Sequence, residues 1–163
     1  MSNWRPVEID RAALIVLLKN AAQLTAGLDH ADIEKLASIA VTEECGANCV
    51  LAKEDEHSRD LFIVIKGGLS VEMNLSPQDA SPVSILKIRD GGVAGELSFL
   101  DGARRSASLR AVMPTSVIRF PYNKLEALFN EEKGIGLTVM RNLAQLVTHR
   151  LRSTNFELRS RLP

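Results

Sequence analysis

Aromatic residues are scarce: five Phe, one Trp and one Tyr make up 4% of the 163-residue chain. Surfaces that stack nucleic-acid bases need a row of rings, and so few cannot supply one. Surplus charge is missing as well, because 20 basic side chains match 20 acidic ones. No overall field therefore draws the chain to nucleic acid or to a membrane surface. Cysteine is limited to Cys45 and Cys49, which excludes a secreted disulfide framework. As a metal pair they lack a nearby Cys or His cluster to complete four ligands, so they read as ordinary reduced thiols. His30, His57 and His149 are too dispersed for the His-x-His cluster of a cupin-type metalloenzyme. No Ser or Cys stands in a recognisable nucleophile–base context either, so neither catalysis nor a bound metal is expected. Long hydrophobic runs are absent: the longest, Ala12 to Leu18, falls short of the roughly 20 residues of a bilayer span. It also lacks a basic leader and a small-residue cleavage site, which makes the cytoplasm the expected location.

What is present suits one folded unit. Hydrophobic residues form 45% and charged residues 25%, ordinary proportions for a soluble protein. A domain of this size hides roughly 70% of its unfolded surface and needs no staple. Asp10 can cap a helix carrying Leu14, Ile15, Leu17 and Leu18 and ending near Leu24. Asp29-His30-Ala31-Asp32 resembles a capping box before Ile33, Leu36 and Ile39, with His30 as a solvated first-turn residue. From Cys49 the period changes. Cys49-Val50-Leu51, Leu61 to Ile65, alternating Leu69, Val71 and Met73, and Val83, Ile85 and Ile88 read as short strands. Asn74 to Pro82 forms a loop, Pro114 a turn, and Val112, Val117, Ile118 and Phe120 the last strands. Asn123 is expected to cap a short helix, and Gly134 and Gly136 to loosen its join to a long amphipathic one. The expected fold is mainly β with flanking helices: an antiparallel β-roll, jelly-roll-like, with N-terminal helices and a long C-terminal helix. The boundaries fall at about 10–41 for the first helices, 45–121 for the roll and 123–158 for the last helices, within a single domain over 1–163.

The stretch from Gly91 to Ala111 carries the chemistry. Gly91, Gly92 and Gly95 let a backbone pass close to a ligand. Glu96 to Leu100 can make one helical turn whose free amides face an anion. Gly102 ends that turn and returns the chain toward Arg105, whose planar fork suits two phosphate oxygens. Glu96 can accept from sugar hydroxyls. Anion cradle, cation and hydroxyl acceptor within about ten residues would suit a ribose-phosphate ligand.

Gly95-Glu96-Leu97-Ser98-Phe99-Leu100 followed by Arg105-Ser106-Ala107-Ser108-Leu109-Arg110-Ala111 resembles the phosphate-binding cassette of the cyclic nucleotide-binding domain family. Catabolite activators and the regulatory subunits of protein kinase A belong to it. Leu61-Phe62-Ile63-Val64-Ile65-Lys66-Gly67 resembles the family's strand ending in a Gly turn, and Leu24-Thr25-Ala26-Gly27-Leu28 its N-terminal helix junction. The likeness covers roughly Leu17 to Leu151. Asn48 stands where a Gly is common, and Asn tolerates the left-handed conformation. Arg104 stands where a Pro is frequent, and Glu54-Asp55-Glu56 replaces a Glu-Gly-Asp turn.

The resemblance implies a regulatory domain whose ligand is a cyclic nucleotide, cAMP ahead of cGMP. It implies a site made by Gly95, Glu96, Leu97, Ser98, Arg105, Ser106 and Ala107. Glu96 would bind the ribose 2′-hydroxyl, Arg105 the cyclic phosphate, and backbone amides around Ser98 and Ser106 would complete the cradle. The C-terminal helix would act as lid and switch, with Met140, Leu143, Val147 and Leu151 covering the base and pairing with a second copy. A homodimer is thus expected, with a separately encoded protein partner as the further possibility. The alternative is a ligand-free degenerate domain serving as a protein-interaction scaffold; separately, the bland reading of Glu96 and Arg105 is a structural ion pair tying the short helix to the next strand. Direct nucleic-acid reading by Arg104, Arg105 and Arg110 is rejected: acidic neighbours interrupt them, and no helix-turn-helix follows.

Overall fold

The computed structural model describes residues 4–76 and 81–161, so the tip of the expected 74–82 loop lies outside the described residues. Helix α1 (Arg11–Asn20) opens on Asp10, whose carboxylate accepts from the amides of Ala12 and Ala13. It buries Leu14, Ile15 and Leu18, then breaks at Ala21 and resumes as α2 (Ala22–Thr25), where one continuous helix was expected. At the break the Thr25 hydroxyl donates to the carbonyls of Leu18 and Ala21, adding to the backbone amides they already accept. Helix α3 (His30–Ile39) starts with the expected reciprocal cap between Asp29 and Asp32. It ends earlier than the expected boundary near 41, since Val41 and Thr42 already pair in a sheet.

Two antiparallel sheets form the roll. The first joins β1 (Arg5–Pro6), β2 (Val41–Cys45), β9 (Thr115–Phe120), β4 (Leu61–Lys66) and β7 (Val93–Ala94), in that spatial order. The second joins β3 (Val50–Ala52), β8 (Ser108–Ala111), β5 (Gly68–Met73) and β6 (Val83–Arg89). Strand side chains alternate between faces. On β4, Phe62 and Val64 point between the sheets, against Leu69, Leu109 and Val117. Leu61 and Ile63 point the other way, into a second core with Leu18, Leu36, Leu125 and Leu143 from the helices. Burial on both faces explains why this strand reads as an unbroken apolar run. Asn48 adopts the left-handed conformation at φ 68°, and Asp55 does so too at φ 64°. Val112 was expected in a strand, but β8 stops at Ala111 and Val112 lies half-exposed in the bend before β9.

Helix α5 (Tyr122–Glu131) is preceded by Pro121, and Asn123 sits inside its first turn rather than capping it. Proline fixes the entry φ at −57°, which suits a helix start without a side-chain cap. Helix α6 (Lys133–Arg161) runs straight through Gly134 and Gly136, which were expected to loosen the join. A Cβ on Gly136 would come within 3.0 Å of the Phe129 Cβ, so this glycine allows α5 and α6 to pack closely. Ile135, Val139, Leu143 and Leu146 form the buried face of α6. Asn142, beside them, donates to the carbonyls of Leu24 and Ala26 at 2.8 and 2.9 Å and clamps the helix to the end of α2. None of the described helices is long and apolar enough to cross a membrane.

Candidate ligand-binding site

Between the roll and α6 lies a cavity of about 1010 Å³. Its floor comes from the segment joining β7 to β8. Gly95 takes the left-handed conformation at φ 84° and opens a short helix, α4 (Glu96–Asp101), which Gly102 closes at φ 73°. A Cβ on Gly95 would stand 2.6 Å from the Arg105 guanidinium and 2.7 Å from the Asp60 carbonyl oxygen, so only glycine fits. The first amides of a helix have no acceptor within it, and here they belong to the cavity floor. Gly95, Glu96, Leu97, Ser98, Arg105, Ser106 and Ala107 all line this one space. Strand β6 supplies an apolar wall through Ile85, Leu86 and Ile88, and α6 forms the roof with Val147, Arg150 and Leu151.

Arg105 is 3% exposed and densely bonded. Its Nε donates to Ser58 Oγ at 2.8 Å, and Nη2 to the Asp60 carbonyl at 2.8 Å. Nη1 donates to Ser98 Oγ at 2.8 Å and to the Gly95 carbonyl at 3.1 Å. These bonds use four of the five guanidinium N–H groups and leave one on Nη2. Burial lowers its pKa, while Asp60, Glu56 and Glu96 oppose that shift. The guanidinium is therefore a peg that shapes the floor as well as a cation beside the cavity. Glu96, 6% exposed, does not pair with Arg105 as the structural ion-pair reading required. Its partner is Arg150, with Oε1 and Nη1 2.6 Å apart.

Arg104, Arg105 and Arg110 do not form a patch. Arg105 is buried, Arg110 bonds Glu72 at 2.8 Å, and Arg104 donates to the Asp55 carbonyl. The four α6 residues expected to cover the ligand also divide. Val147 and Leu151 line the cavity, Leu143 is buried in the helix-side core, and Met140 is 39% exposed away from the site. At about 100° per residue, position 143 shares the face of 139 and 146, whereas 140, 147 and 151 share another. Arg150 was not among the residues singled out from the sequence. The available signal was its spacing from Leu143 and Leu146, which puts it on the inward face of α6.

The model of the cyclic nucleotide-binding domain matches residues 42–132, more than half of the chain and all of the cavity floor. The chain belongs to the cyclic nucleotide-binding domain family. Solved structures agree on the fold of this domain. A cyclic nucleotide-binding domain from Methylobacillus flagellatus superposes with a TM-score of 0.85 at 22% identity, over 99% of this chain and 91% of its own. The catabolite activator protein of Thermus thermophilus gives 0.70 at 24% identity, over 83% of this chain and 61% of its own. The regulatory domain of Toxoplasma gondii protein kinase A, solved with cAMP, gives 0.70 at 19% identity, over 88% and 50%. The chain thus spans between half and three fifths of those last two proteins. No curated protein matches it in sequence. Membership of the family supports a regulatory role.

Proposed function

We propose that this chain is a cyclic nucleotide sensor acting as one regulatory module, without catalysis of its own. The carrying observation is the convergence of Glu96, Arg105 and the backbone around Ser98 and Ser106 on one roofed cavity. In this reading the cyclic phosphate sits over the start of α4, against the free N–H of Arg105 and the neighbouring amides. Glu96 accepts from the ribose hydroxyl. The base lies between Ile85 and Leu86 of β6 and Val147 and Leu151 of α6, so the helix is both lid and switch. The volume, about 1010 Å³, reaches the top of the usual range for small-molecule sites, which leaves room for a nucleotide and for helix movement. cAMP is placed ahead of cGMP, and the structure of the Toxoplasma domain with cAMP supports that order. α6 would pair with a second copy, and a separate protein would read its position.

A second reading has its own support. Arg105 and Glu96 both find partners within the chain, as they would in a ligand-free scaffold. Calorimetric titration of the protein and of Arg105→Lys with cAMP and cGMP separates the two. A sensor binds one or both, and Arg105→Lys weakens binding roughly ten- to a hundredfold through loss of a charge-assisted bond and of the planar fork. A scaffold gives no heat with either nucleotide at about millimolar concentration.

A further inference from the structure

Two arginines hold Ser98, one through its side chain and one through its backbone. The hydroxyl accepts from Arg105 Nη1 at 2.8 Å. The carbonyl accepts from the amide of Gly102 and from Arg59 Nε, each at 3.1 Å. Arg59 Nη2 donates to the next carbonyl along, that of Phe99, also at 3.1 Å. The amide that would continue the helix onto Phe99, that of Ala103, is turned to Asp101 Oδ1 at 2.8 Å. Arg59 takes its place, where a helix runs out of amides. Its guanidinium lies 3.9 Å from the centroid of the Tyr122 ring, itself T-shaped against Phe99 with centroids 5.7 Å apart. Ser98 lines the ligand cavity, whereas Arg59 lines a separate one of about 380 Å³ with Gly102, Tyr122 and Asn123.

We propose that Arg59 is a positioning residue for Arg105, acting through Ser98 from outside the ligand cavity. The proposal rests on the cyclic nucleotide reading of that cavity. Helix α4 has six residues, too few to hold its shape by its own hydrogen bonds. The fork of Arg59 fixes the last turn, that turn fixes Ser98, and Ser98 fixes Nη1 of Arg105. The one N–H that Arg105 keeps for a phosphate is then aimed before the ligand arrives, so binding does not have to order it. A long-range charge effect is a different mechanism. It needs only the cation, and salt screens it. Positioning needs two donors in the plane of one fork, which an ammonium lacks.

The test is calorimetric titration of the full chain, Arg59→Met, Arg59→Lys, Arg105→Lys and the double variant Arg59→Met with Arg105→Lys. The ligands are cAMP, cGMP and adenosine, which carries no phosphate. Arg59→Met is expected to bind the cyclic nucleotides about three- to tenfold more weakly than the native chain. Its affinity for adenosine should be unchanged; an equal loss there would mark a general loosening of the fold and overturn the proposal. Arg59→Lys keeps the charge and should recover only a minor part of the loss, whereas full recovery would make Arg59 a charge alone and overturn the proposal. In the Arg105→Lys background the Arg59→Met change should alter affinity by less than about twofold, because the fork it positions is gone. An undiminished effect in that background, or none in the native one, overturns the positioning role and leaves the sensor reading standing. No binding of either cyclic nucleotide by the native chain overturns both. Should Arg59→Met fail to fold in a thermal melt, Arg59→Lys carries the same cycle with Arg105→Lys, and a loss shared equally by adenosine or undiminished in that background contradicts the proposal.

Discussion

Arg105 donates to Ser58, Gly95, Ser98 and Asp60 from within the floor, so truncating it strands buried acceptors as well as removing a cation. Unfolding titrations of Arg105→Ala should show a loss of about 2–4 kcal/mol, because each stranded acceptor costs its own desolvation. A loss below about 0.5 kcal/mol, the usual range for an exposed site, would contradict the peg role. The cassette residues were legible from the sequence because their chemistry is local: a left-handed glycine, one helical turn and an arginine nine positions after the glutamate. Asp60, Ser58 and Arg150 were not, since their contacts with Arg105 and Glu96 cross 45, 47 and 54 positions of chain. Nothing in a local pattern marks which distant side chain will close a hydrogen bond.

The elements were legible where a period of two or 3.6 ran without competition, as in α3 and β5, and where an unbroken apolar run marked a strand buried on both faces, as in β4. They were misjudged where tertiary packing overrode a local preference. Gly134 and Gly136 look like breakers in isolation, yet α6 passes through both. The two glycines should respond differently to alanine. Gly134 has nothing within 4 Å of its added Cβ, so Gly134→Ala should raise stability by about 0.5–1 kcal/mol. At Gly136 the same gain meets Phe129 at 3.0 Å, and Gly136→Ala should bring no gain or a net loss. Thermal melts of the two variants side by side check this, and an equal gain at both would show that α5 and α6 are not closely packed at Phe129. Thr25 gives the complementary case: its hydroxyl adds a bond to the Leu18 and Ala21 carbonyls at a break that a sequence pattern leaves helical.

For the molecule as a whole, α6 presents two apolar faces. Ile135, Val139, Leu143 and Leu146 are consumed by the core, while Leu137, Met140, Leu151 and Leu158 remain exposed, at 62, 39, 59 and 56%. Positions 137, 140, 144, 147 and 151 follow the three–four spacing of a coiled-coil seam, and 158 lies one heptad beyond 151. Sedimentation should therefore show a dimer at tens of micromolar, converted to monomer by Leu137→Glu with Leu158→Glu; a monomer at every concentration would remove that part of the account. The roll and its flanking helices were readable in outline because many short strands bracketed by helices permit few layer arrangements. The lid contact was not, because it depends on where α6 lands across the finished roll.

A crystal structure of the chain grown with cAMP measures the central claim directly. The account predicts cyclic phosphate oxygens within hydrogen-bond distance of Arg105 and of amides at the start of α4, with the 2′-hydroxyl on Glu96. A nucleotide bound elsewhere on the surface, or a cavity that stays free of it at saturating concentration, would contradict it.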